Sequence, residues 1–82
     1  MYDVPEVIGM DYVDRLTALR VDRDIGQKEI AALLGCNQST VSKYEKRRAQ
    51  YSIEDIILLC QFYKVSANYI LGLPEGLAHP DR

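Results

Sequence analysis

The side chains best equipped for chemistry in this chain gather between positions 27 and 48. Gln38, Ser39, Ser42 and Lys43 supply amide, hydroxyl and ammonium groups at the one-, three- and four-residue spacings of a single helix face. Such groups hydrogen-bond to base edges and phosphates in a DNA major groove. They are also the residue types of an ordinary polar surface helix. Just beyond them, Lys46-Arg47-Arg48 forms a compact basic run, suited to phosphates or to plain solvation.

Other chemistries find little support. The one histidine, His79, lies in a Pro-containing tail, and no nucleophile, base and acid fall into a set, so no enzymatic activity is expected. Cys36 and Cys60 stand 24 positions apart in apolar surroundings. With one histidine they make no plausible zinc site, and they read as buried free thiols in a reducing cytoplasm. No metal and no cofactor is expected.

Size and charge narrow the classes further. A chain of 82 residues, 48% hydrophobic, allows one small domain, which excludes an interdomain cleft and a large cofactor-binding sheet. No apolar run approaches the roughly 20 residues that span a bilayer. Asp3 and Glu6 precede the first basic residue, Arg15, the reverse of a signal-peptide start, so a cytoplasmic location is expected. The formal net charge is −2, and the sequence pI near 5.2 lies far from the basic values usual for nucleic-acid binders. The distribution tells more than the sum. Residues 26–50 carry Lys28, Lys43, Lys46, Arg47 and Arg48 against Glu29 and Glu45, a positive segment within an acidic frame.

Five short helices account for the hydrophobic pattern. Asp11–Asp22 places Tyr12, Leu16 and Leu19 on one stripe, with Asp11 as N-cap. Gln27–Leu34 puts Ile30, Ala31 and Leu34 on one face, and Gly35 suits a left-handed cap. After Cys36, Asn37 can cap Gln38–Lys46, whose only apolar positions are Val41 and Tyr44. Ser52 and Asp55 form a near capping box before Ile53, Ile56, Ile57, Leu59 and Cys60. A final helix runs from the cap at Ser66 through Leu71 and stops at Gly72 and Pro74. Alternating strand patterns are missing, so the fold class is all-α. Small Ala31 and Gly35 allow close approach across the short turn, which sets the third helix roughly perpendicular to the second.

The run Gln27-Lys28-Glu29-Ile30-Ala31-Ala32-Leu33-Leu34-Gly35-Cys36-Asn37-Gln38-Ser39-Thr40-Val41-Ser42-Lys43-Tyr44-Glu45 resembles the Cro/phage-repressor (Xre-like) helix-turn-helix family. The likeness extends through Ser52-Ile53-Glu54 to Val65-Ser66-Ala67-Asn68-Tyr69-Ile70-Leu71-Gly72, covering about residues 12–72. It implies a five-helix bundle of the lambda-repressor-like type in residues 11–72, with an extension at 1–10, where Met10 offers an alternative start, and a tail at 73–82. It implies a double-stranded DNA operator as partner and a transcriptional regulator, a repressor, as function. Gln38, Ser39, Ser42 and Lys43 would then meet bases. Gln27 would brace Gln38 beside a phosphate. Lys28, Thr40, Tyr44, Lys46, Arg47 and Arg48 would hold the DNA backbone, and Arg20 and Glu45 would form a largely buried ion pair. Three residues depart from the pattern: Asp24 for a frequent Gly, Gly26 for a Ser or Thr cap, and Tyr51 for a frequent Pro.

One short reading helix covers few base pairs, so a homodimer is expected, joined through Tyr69, Ile70, Leu73 and Leu77, although Tyr69 and Ile70 fit completion of the monomer core equally well. The competing class is an antitoxin-type module that grips a protein partner such as a toxin as well as its own operator. It would need an exposed apolar patch, for which Leu73, Leu77, Tyr2, Val4, Val7 and Ile8 are the candidates.

Overall fold

The computed structural model describes residues 11–73, which form α1 (Tyr12–Asp22), α2 (Gln27–Leu34), α3 (Gln38–Glu45), α4 (Ile53–Tyr63) and α5 (Ala67–Leu71). Among the described residues there is no strand. Four of the five helices begin where a short polar side chain satisfies an orphan backbone N–H. Asp11 accepts from Asp14 at 3.0 Å, Asn37 from Thr40 at 2.9 Å and Ser66 from Asn68 at 2.9 Å. At Ser52 both halves of the capping box are made, with Asp55 in the role usual for Glu. Gly26 opens α2 without a side-chain cap. Lys46, expected inside the third helix, is its C-cap instead.

One core holds the helices together. Leu16, Ile30, Ala31, Val41, Ile56, Leu59, Cys60, Tyr63 and Ile70 are buried in a single cluster. Val41, fully enclosed, anchors the underside of α3, so the opposite face of that helix is left to solvent. Ala31 at 4% exposure lies where α2 and α3 approach, and Gly35 turns the chain between them at φ +73°. The stripe expected on α1 is rotated. Val13 is buried beside Leu16, while Tyr12 and Leu19 are half-buried at the core's edge.

On α4 the buried stripe is Ile56, Leu59, Cys60 and Tyr63, at the i, i+3, i+4, i+7 spacing. Ile53 and Ile57 point outward at 72% and 51% exposure, because the core meets only one side of a helix that is apolar on two. Tyr51 fills the place of the frequent Pro with an aromatic contact. Its ring stands 4.5 Å from Tyr44 and 6.3 Å from Tyr12, tying the loop before α4 to α3 and α1. Asp24, Arg47 and Lys64 all hold positive φ, near +60°. The apolar candidates Tyr2, Val4, Val7, Ile8 and Leu77 lie outside the described residues, as does His79.

Candidate nucleic-acid interface

A chain of four side chains runs from the core boundary to the exposed start of α3. Arg20 donates from Nε to Glu45 Oε2 at 2.7 Å and from Nη2 to Glu45 Oε1 at 3.0 Å. Its Nη1 donates to the Ile25 carbonyl at 2.9 Å. The pair is mostly shielded, with side-chain exposures of 16% and 11%. The hydrogen bond to Glu45 pushes the Arg20 guanidinium pKa further up, against the opposing effect of burial. Gln27 Nε2 donates to Glu45 Oε1 at 2.9 Å, and Gln38 Nε2 donates to Gln27 Oε1 at 3.3 Å.

The charged end of this chain sets its polarity. A carboxylate only accepts, so the Gln27 amide must turn its NH2 toward Glu45 and its oxygen toward Gln38. Gln38 answers with an N–H. Its own Oε1 and remaining N–H are left at the exposed surface, an acceptor beside a donor.

The hydroxyls next to it are turned inward. Ser39 Oγ, Thr40 Oγ1 and the Thr40 backbone N–H all donate to one oxygen, Asn37 Oδ1, at 2.8 to 2.9 Å. Ser39 and Thr40 therefore offer lone pairs rather than protons to a ligand, which suits an amino group and not a phosphate. Thr40, to which the family resemblance assigns a backbone-holding role, would have to release Asn37 to act as one.

Lys43 is exposed and Ser42 half-buried on the same helix. Tyr44 is half-buried against Tyr51, and burial together with the Asp55 carboxylate raises its phenol pKa. Lys28, Lys46 and Arg48 are exposed, and among the described residues none of them or Lys43 makes a salt bridge.

Arg47, expected to hold the DNA backbone, is paired within the chain. Its Nη2 lies 2.9 Å from both Asp11 Oδ1 and Asp14 Oδ1, and its Nε lies 3.3 Å from Asp11 Oδ2. The left-handed turn at Arg47 swings its side chain back onto the start of α1. The cap bond from Asp14 N–H and then Arg47 hold the Asp11 carboxyl below its ordinary range. This contact was not legible from the sequence, because it joins residues 33 and 36 positions apart. Among the described residues no cluster of His, Cys, Asp and Glu could hold a metal ion. Cys36 and Cys60 are free, Cys60 buried and Cys36 half-buried, and burial raises both thiol pKa values.

This order of elements, with α3 bared on one side and braced from α2, decides the class when set beside a sequence match. The pattern of the helix-turn-helix domain family matches residues 11–68. The chain belongs to that family. A helix-turn-helix relative, the uncharacterized HTH-type transcriptional regulator YobD of Bacillus subtilis (strain 168), is 30% identical over 64 residues. That match covers 78% of this chain, which spans 57% of the relative's length. The fold is similar to that of the P22 c2 repressor protein, solved with a synthetic operator. There the TM-score is 0.67 at 21% identity, over 77% of this chain and 96% of the repressor chain. It is also similar to a transcriptional regulator from Listeria innocua, with TM-score 0.73 and 22% identity over 89% of this chain and 68% of that one.

Proposed function

We propose that this helix-turn-helix chain binds double-stranded DNA in a sequence-specific way and regulates transcription as a repressor, with α3 in the major groove and no catalytic role. The observation that carries the reading is the outward amide of Gln38, oriented through Gln27 by the Arg20–Glu45 pair. An acceptor beside a donor matches the N6 amino group and N7 of adenine. Ser39, with its proton held by Asn37, adds an acceptor for a base amino group, and Lys43 a donor for guanine O6 or N7. Lys28, Lys46 and Arg48 border that face and suit phosphates. The relatives named as transcriptional regulators and the operator-bound repressor support the same assignment.

The reading includes a homodimer in the cytoplasm. Tyr69, Leu71 and Leu73 are 44% to 48% exposed around α5 and offer apolar surface for a second copy. Of the two roles open to Ile70, interface or monomer core, its full burial fits the core. Leu77 lies outside the described residues. No helix among the described residues is long and apolar enough to cross a membrane.

Selection of bound duplexes from a random pool tests the proposal. The expected product is a two-fold-symmetric sequence with half-sites about one helical turn, roughly 34 Å, apart. A pool that shows no enriched sequence after repeated rounds contradicts it.

A further inference from the structure

We propose that Asp11 and Asp14 serve as an internal stand-in for a DNA phosphate, occupying Arg47 and so lowering the chain's affinity for every duplex. The inference rests on the DNA-binding reading. Within the run Lys46-Arg47-Arg48 only the middle residue is paired among the described residues. Its guanidinium grips Asp11 in two-pronged fashion, Nε to Oδ2 and Nη2 to Oδ1, the fork geometry that arginine also uses on phosphate. Asp14 adds a second carboxylate at 2.9 Å.

Asp11 is fixed while the pairing is open to exchange. Asp11 Oδ1 also caps α1, so the carboxylate cannot follow an arginine that leaves. Arg47, Asp11 and Asp14 are each 44% to 49% exposed at their side chains, within reach of solvent and of a competing anion. Exposed pairs of this kind are weak. A phosphate of bound DNA can therefore capture Arg47 only by displacing two carboxylates, and it gains correspondingly less than it does from Lys46 or Arg48.

Asp14 is the position to change, because Asp11 is also needed as a cap. Binding of the full chain to a selected duplex and to a scrambled one is measured over a salt series. The set is wild type, Asp14→Asn, Asp14→Ala, Arg47→Ala and the double variant Asp14→Asn with Arg47→Ala, each checked for an intact helical spectrum. Both Asp14 variants leave Asp11 on Arg47, so they are expected to bind both duplexes about twofold to fivefold more tightly, with the salt slope steeper by less than about one phosphate. Arg47→Ala alone is expected to shift affinity by less than about twofold, and the double variant to return to the wild-type level and slope. Unchanged affinity in Asp14→Asn and Asp14→Ala overturns the proposal and leaves DNA binding standing. A gain that survives in the double variant also overturns it, since simple repulsion between Asp14 and DNA then explains the effect. So does a large loss in Arg47→Ala alone. A wild-type chain that binds neither duplex at any salt removes the DNA-binding reading, and this inference with it.

Discussion

Arg20 and Glu45, 25 positions apart, meet through two hydrogen bonds of 2.7 and 3.0 Å that join α1 to the end of α3. Among the described residues only the Ile25 carbonyl remains to Arg20 if Glu45 is removed. Glu45→Ala should therefore cost about 3–5 kcal/mol, the usual result of stranding one member of a shielded pair. Replacing both residues by apolar ones should cost less than the sum of the single changes. Urea denaturation of the two single variants and the double variant checks this, and additive losses would contradict it.

Alkaline pH should unfold the chain through its buried phenols. Burial pushes Tyr63 from an ordinary 10.0 up to about 12, and burial also raises Tyr51. A phenol with a raised folded pKa keeps its proton after the unfolded chain has lost its own. Its contribution is complete below pH 10 and is lost as pH rises toward 12. Thermal melts between those limits should show a steep fall that is shallower in Tyr63→Phe. An identical profile in that variant would remove Tyr63 as the cause.

Lys64 ends α4 at φ +59°, a conformation that disfavours any residue with a Cβ. Lys64→Gly should stabilise the chain by about 0.5–1 kcal/mol, because the released strain exceeds the extra freedom glycine gains when unfolded. For a domain of this size that is a rise in melting temperature of about 2–8 °C, measurable by calorimetry. A lower melting temperature would show that the lysine side chain supplies more than its backbone costs.

The helices were legible because their signals are local. The caps at Asp11, Asn37, Ser52 and Ser66 are settled within three residues, and Gly35 and Gly72 mark left-handed ends. Which apolar face of α4 meets the core was not legible, since Ile53 and Ile57 are as hydrophobic as Ile56 and Leu59. The same limit applies to Ile70, whose burial depends on where α5 lands. The pairing of Arg20 with Glu45 was suggested by family resemblance, not by spacing. The clasp on Arg47 needed both the left-handed turn and the position of α1, neither of which the basic run encodes.

One titration tests the proposed division between reading by Gln38 and holding by Arg48. Wild type, Gln38→Ala and Arg48→Ala are bound to the selected duplex, to a copy with one adenine of each half-site replaced in turn, and to a scrambled duplex, over a salt series. Gln38→Ala should lose about 1–3 kcal/mol on the selected duplex, little on the scrambled one, and become indifferent to replacement at one adenine position. Arg48→Ala should weaken binding to all duplexes alike and flatten the salt slope by about one unit. A Gln38→Ala chain that weakens equally on every duplex, beside an Arg48→Ala chain that fails only on the selected one, would mean that the two residues have the opposite roles.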